Sequence, residues 1–346
     1  MIEEIRTERV QVCPICGSGG SQVLYTNLTD HIFTAPGEWT LKQCHSCGTA
    51  YLDPRLTQEE IGKAYETYST HAAASNQPNS DVLARRFYEG LRSGYLSRYW
   101  GYTRGTKRWQ RLLGPLLRFF PRPQSQLDSD VMYLGASPGR SLLDVGCGSG
   151  ELTARMQNLG WQVEGLDFDA IAVREARKHG FEVRLGTLEE QSYPDESFDA
   201  IIMSHVVEHV HDPFALLAEC NRILKPGGRM VALTPNARSL CHRVFRIHWR
   251  GLEPPRHLQI FDPLSLQSLV TRAGFERVSI RTTVRSTSWM FVRSYLLWRK
   301  GHISESEPAS LVTKLCGLAV QHLAWFILQI RPYVGEEVVM VAVKDE

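Results

Sequence analysis

The stretch Ser141-Leu142-Leu143-Asp144-Val145-Gly146-Cys147-Gly148-Ser149-Gly150 limits the folds open to this chain more than any other. Leu142, Leu143 and Val145 suit a strand covered on both faces. The three glycines let the backbone turn tightly and let a ligand approach it closely. Helical spacing resumes from Glu151 to Leu159. A strand, a bare turn and a helix start at the carboxyl end of a parallel sheet make a nucleotide site. The glycines fall as G-x-G-x-G, not as the G-x-G-x-x-G of dinucleotide folds, and no G-K-[ST] follows for a triphosphate. Glu151 at the helix start would repel a pyrophosphate and suits a ligand that carries an ammonium and a sulfonium.

Leu143 to Gly150 resembles the first motif of class I S-adenosylmethionine-dependent methyltransferases. The chain downstream keeps the resemblance: Trp161 to Asp167 as a second strand, a helix from Ala170 to His179 closed by Gly180, and Phe181 to Leu185 as a third strand. Phe198-Asp199 leads into a fourth strand at Ala200 to Met203. A helix from Leu216 to Leu224 stops at Lys225-Pro226-Gly227-Gly228, and Arg229 to Thr234 is a fifth strand. This alternation predicts an α/β, doubly wound and mostly parallel sheet, and the resemblance implies its seven-stranded, Rossmann-like form. Asp167 lies about 20 residues past the glycine turn, the offset at which a carboxylate holds both ribose hydroxyls. The resemblance implies that Asp144, Gly146, Cys147, Gly148 and Gly150 shape the pocket for the methionine part. It implies Phe168 beside the adenine, Thr187 and Leu188 flanking it, and Ser204, His205 and Val206 closing the pocket floor.

Two C-x-x-C pairs stand near the start, Cys13/Cys16 and Cys44/Cys47. Two such knuckles supply four thiolates to one tetrahedral zinc and leave no open position, so the predicted ion is structural. No signal peptide opens the chain, which argues against disulfides and for a cytoplasmic setting. Cys147, Cys220, Cys241 and Cys316 are read as reduced. The expected domains are a zinc ribbon at 1–55, a helical cap at 56–130 and the methyltransferase at 131–346. A ribbon joined to a methyltransferase also looks like bacterial enzymes of sugar and polysaccharide biosynthesis, through Cys47 to Arg55 and Tyr65 to Tyr68.

In the cap, Thr57 and Glu60 form an expected capping box. Helices are expected at 81–96 and 106–119, with Pro121-Arg122-Pro123 as a breaker. Asn76 to Ser80 reads as a polar loop. The aromatics of this region line a substrate cleft or pack the cap; packing is the commoner outcome. Residues 278–284 and 336–344 read as strands, which the resemblance implies pair antiparallel, and about 50 residues, 285–335, stand where the family has a hairpin turn. Leu311 to Ile330 is apolar but interrupted by Lys314, Gln321, His322 and Gln329, short of a membrane span. Three readings of the insertion stay open: packing on the sheet, a homodimer surface, or contact with the inner face of a membrane through Arg293, Arg299 and Lys300 beside Trp and Leu.

Methyl transfer requires alignment of nucleophile, methyl and sulfur, and a base only where a proton must leave. His205, Glu208 and His209 match the H-x-x-E-H of zinc peptidases. That reading is rejected, because the match begins at a strand end. Some quinone-type relatives hold a divalent metal near this loop, but they tend to have Glu where His205 stands. His257, in Glu253-Pro254-Pro255-Arg256-His257, is the second candidate and would act as general base. The candidate catalytic residues are therefore His257, His205 and Glu208. The expected reaction is methylation of a small or glycan-linked acceptor at oxygen, with S-adenosylmethionine and structural zinc as cofactors. The alternatives are a quinone-like O-methyltransferase and a non-catalytic scaffold. A net charge of +2 and Ser204-His205-Val206-Val207, where amino-group methylases of nucleic acid carry Asn/Asp-Pro-Pro-Tyr/Phe, argue against nucleic acid.

Overall fold

The computed structural model describes residues 5–65, 82–304 and 306–345. The expected Asn76–Ser80 loop and residues 66–68 of the Tyr65–Tyr68 segment lie outside them. The central element is a seven-stranded sheet. Its strands are β1 (Ser141–Val145), β2 (Gln162–Asp167), β3 (Val183–Leu185), β4 (Phe198–Ser204), β5 (Leu224–Pro235), β6 (Arg277–Thr283) and β7 (Glu337–Val343). They lie in the order β6-β7-β5-β4-β1-β2-β3. β1 pairs parallel with β2 and β4, and β2 with β3, whereas β6 and β7 are antiparallel. The order reverses beside β1, where doubly wound sheets open a crevice for ligands.

The chain divides into two compact units. One holds Met1–Tyr68, Ser204–Arg222 and Ala232–Glu346; the other holds Ser69–Met203 and Ile223–Val231. In the second unit the helices Val82–Tyr99 (α1), Arg108–Leu113 (α2) and Pro121–Asp130 (α3) precede β1. The single helix expected at 106–119 is split. Pro115 lacks an N–H, and Gly114–Phe119 tightens into a 3-10 turn. The helical run ends at Phe119 with Phe120 extended, as the proline break predicts, and Pro121 then opens α3, because its missing N–H and fixed φ suit a first helical position. Glu151–Asn158 (α4) and Ala170–Lys178 (α5) follow β1 and β2, and Asp169 caps α5 by accepting from the Ile171 N–H.

In the first unit the ribbon strands Ser21–Leu28, Trp39–Cys44 and Ala50–Leu52 form an antiparallel sheet. A fourth strand, Gln259–Ile260, joins it against Ala50–Leu52. The predicted capping box is not made. Glu60 instead binds Arg6 and Lys63, and the segment runs through a turn into a 3-10 helix at Ile61–Tyr65. The strand β5 starts at Leu224, directly after Pro213–Ile223 (α6), so the segment expected as a helix stop is already strand. The insertion forms Thr287–Lys300 (α9) and Leu311–Leu328 (α10); here Leu240–Phe245 is α7 and Pro263–Arg272 is α8. α10 is long and apolar enough to cross a membrane by length and composition. It lies along α9 at Gly317, where a Cβ would meet the Ser288 carbonyl at 2.8 Å, and Gln321 donates to the Val284 carbonyl.

Candidate functional sites

The glycine turn is built almost wholly from backbone. Gly146, Gly148 and Gly150 have φ of 72°, 54° and 86°, a region that favours glycine. A Cβ at Gly150 would strike the Phe181 ring at 2.5 Å, so that glycine packs the turn onto its neighbours. A Cβ at Gly148 would meet nothing within 4 Å, so that glycine faces open space. The Gly148 N–H donates to Asp167 at 2.8 Å, and the other Asp167 oxygen accepts from the Asp169 N–H. The carboxylate at the end of β2 is thus fixed against the turn. Phe168 beside it is 47% exposed. Thr187 is half-buried, its N–H held by Glu190, and Leu188 is buried in the core. The Cys147 sulfur packs in the core with Val173, Ala176 and Val183. Asp144 is buried and accepts from the Thr153 hydroxyl at 2.8 Å, tying β1 to α4. Burial pushes its carboxyl up to about 7 against the Thr153 hydrogen bond, with the Asp167 charge adding to the rise.

A second cluster forms in the other unit. Ser204 and Val206 are half-buried on either side of His205, whose backbone has φ of 58°. The imidazole lies 3.1 Å from both Glu208 and Glu337. Burial works against its charge, but the two carboxylates hold it protonated, pushed up to about 10. It therefore has no lone pair for a base. Burial alone would raise Glu208, yet the His205 hydrogen bond takes it down to about 2. Arg285 pairs with the same Glu337. His209 Nδ1 lies 3.0 Å from the Arg256 carbonyl and 2.9 Å from the Tyr65 hydroxyl. His257 is buried, and its Nδ1 donates to the Gly251 carbonyl at 2.8 Å. Burial lowers its pKa to about 4, so it is neutral and keeps the Nε2 lone pair.

One donor atom each from Glu208, His209 and His257 lie within 4.8 Å of one another. Glu208 Oε2 is buried and has no hydrogen-bond partner among the described residues. Two histidines with Nδ1 engaged by backbone carbonyls, beside a bare buried carboxylate oxygen, are a donor set for a divalent cation. Asp30 and Glu253 hold Arg256 next to His257, with Arg256 donating to Asp30 at 2.9 Å and to Glu253 at 3.1 Å. The ribbon strand joins in, for the Leu52 N–H donates to the Leu258 carbonyl. Sequence reasoning missed Tyr65, Asp30, Arg285 and Glu337, which lie far along the chain from the residues they touch. His209 was visible only as part of the rejected motif.

Cys13, Cys16, Cys44 and Cys47 gather near the N-terminus, with sulfur separations of 3.6 Å for Cys13–Cys47 and 3.5 Å for Cys16–Cys44. Gly17 and Gly48, at φ of 74° and 75°, close the two knuckles. Four sulfurs at such distances fit one tetrahedral zinc.

This sheet order with its glycine turn and strand-end Asp167 defines an S-adenosylmethionine-dependent methyltransferase. Residues 107–280 match the family described as "Methyltransferase domain", and the chain belongs to it. It is 33% identical over 178 residues to the ubiquinone biosynthesis O-methyltransferase of Cereibacter sphaeroides, covering 48% of this chain and 72% of that relative. The protein of the same name from Alkalilimnicola ehrlichii is 38% identical over 118 residues, covering 32% of this chain and 48% of that relative. Similar solved structures include methyltransferases from Archaeoglobus fulgidus (TM-score 0.41, 21% identity, 72% of this chain and 98% of that one) and Mesorhizobium loti (0.44, 16%, 64% and 98%).

Proposed function

We propose that this methyltransferase acts on an aromatic hydroxyl of the quinone-precursor type, with a divalent cation beside the acceptor. The observation that carries this reading is the buried Glu208 Oε2, without a hydrogen-bond partner among the described residues, next to His209 and His257. The printed names of the Cereibacter and Alkalilimnicola relatives support the same acceptor class. Glu208, His209 and His257 would hold the cation, which would lower the pKa of a bound hydroxyl. Tyr65 and the Arg256 carbonyl orient His209, the Gly251 carbonyl orients His257, and Asp167 with the Gly148 turn orients the methyl donor. His257, read from the sequence as a general base, is better suited as a ligand, since its buried ring has little affinity for a proton.

A glycan-linked hydroxyl, the other acceptor suggested by the sequence, competes in the same assay. Formation of S-adenosylhomocysteine is measured with an ortho-dihydroxybenzene and with a sugar nucleotide, before and after dialysis that removes Mg²⁺ and Mn²⁺ but leaves the zinc count unchanged. Metal-dependent turnover of the aromatic acceptor is expected. Metal-independent turnover of the sugar would reject this reading.

A further inference from the structure

The helical region ahead of β1 carries an uneven charge. Between Val82 and Asp130 stand ten Arg and Lys but three Asp and Glu, in a chain whose net charge is only +2. The carboxylates are engaged: Asp128 accepts from Tyr95 and Trp100, Asp130 binds Arg155, and Glu89 binds Arg92. Arg98, Arg108, Arg111 and Arg118 are exposed and make no ion pair among the described residues.

The same helices leave large apolar side chains exposed. α1 meets α2 through glycines: a Cβ on Gly94 would lie 1.8 Å from the Gln110 carbonyl oxygen, and one on Gly90 would lie 2.4 Å from Trp109. Gly90-x-x-x-Gly94 is the small-residue spacing of helix pairs in lipid. Glycines take the α1–α2 contact; Leu96, Leu117 and Leu127 are buried with Tyr95 and Val131, whereas other large apolar side chains stay exposed. Leu112 is 76% exposed, Phe119 65%, Phe120 56% and Leu116 53%.

From this geometry we infer that the face running from α1 through Phe120 docks on an anionic phospholipid bilayer. The leucines and phenylalanines enter the acyl boundary, and the arginines meet lipid phosphates. Charge selects the occupant. A second copy of this chain would bring the same positive charge against it. Nucleic acid would satisfy the arginines but offers no apolar medium to Leu112 and Leu116, which cannot stack as aromatics do. The inference does not depend on the acceptor.

The test is co-sedimentation of the full chain with vesicles of equal phosphatidylglycerol and phosphatidylcholine, and with pure phosphatidylcholine. Binding to the anionic vesicles alone is expected. Leu116→Glu with Phe119→Glu, and separately Arg111→Gln with Arg118→Gln, should each weaken it about tenfold or more. All four side chains are exposed, and unchanged melting temperatures check the fold. Phe326→Glu on the exposed side of α10 should leave binding intact. No vesicle binding, equal binding to both vesicles, or loss only with Phe326→Glu would overturn the inference. So would duplex DNA binding that is lost in the arginine variant without any vesicle binding.

Discussion

The glycine turn and the Glu208 cluster are the two candidate sites of this methyltransferase, and they are assembled differently. The turn draws on consecutive backbone from Val145 to Gly150 and one carboxylate, Asp167, from the next strand. The cluster draws on Tyr65, His205, Glu208, His209, His257, Arg285 and Glu337, spread over most of the chain. A site made of local backbone depends on one strand-turn-helix unit. A site made of distant side chains depends on every element that carries one of them.

Zinc removal tests that difference most severely. The ribbon strand Ala50–Leu52 pairs with Gln259–Ile260, immediately after His257, so the cysteine site supports the cluster. Structural zinc contributes on the order of 10 kcal/mol to folding small metal domains. Cys44→Ser should abolish the zinc and with it Mn²⁺ binding at Glu208, while S-adenosylmethionine affinity stays within a few-fold. Zinc content, Mn²⁺ binding and calorimetry on one preparation read all three. Equal loss of both ligands would break the distinction.

The same contrast explains what could be read from the sequence. The antiparallel β6–β7 pair came from the family resemblance, whereas the alternation of strands and helices and the glycine turn follow from local patterns such as the apolar run before Gly146, and both were legible. So were the four cysteines, because knuckle spacing is itself local. Gln259–Ile260 joining the ribbon was not, since a two-residue strand has no periodicity to detect. Nor was the pairing of Arg256 with Asp30, 226 residues apart. Motif spacing carries no such information. The capping box at Thr57 failed because Arg6 and Lys63 compete for Glu60.

Asp144 offers a pH test of the glycine-turn unit. Its carboxyl is raised from 3.8 to about 7 in the native protein. An acid with a raised native pKa opposes folding once pH exceeds its unfolded value. That penalty grows until the native pKa is passed, and then stays constant. The ceiling is about 4 kcal/mol. Asp144→Asn keeps an acceptor for Thr153, so urea melts should show it more stable than wild type near pH 8 and equal to it near pH 4. The same gap at both pH values would mean the effect is packing rather than ionisation.

Asp167→Ala should weaken S-adenosylmethionine binding by a few hundred-fold, about 3–4 kcal/mol. If Asp167 holds the ribose as expected, two hydroxyl bonds to a carboxylate would be lost, each worth about 1.5–3 kcal/mol less the overlap between them, and the Gly148 N–H loses its anchor. Mn²⁺ binding at Glu208 should not change. Calorimetry with both ligands measures this, and a variant that loses both would show the two sites to be one cooperative unit.

The smallest effect belongs to the cluster. Glu208→Gln removes the bare carboxylate charge but keeps an oxygen and nearly the same shape, so divalent affinity should fall about 10–100-fold. Tyr65→Phe removes only a hydroxyl from His209 and should fall at the lower end of that range or below it. The two acting on one cation would be non-additive, because the second change acts on a site already weakened. A titration with Mn²⁺ followed by water proton relaxation gives both affinities and their coupling. Strict additivity would mean that Tyr65 does not act through His209, and the long-range assembly of this site would then rest on His257 and Glu208 alone.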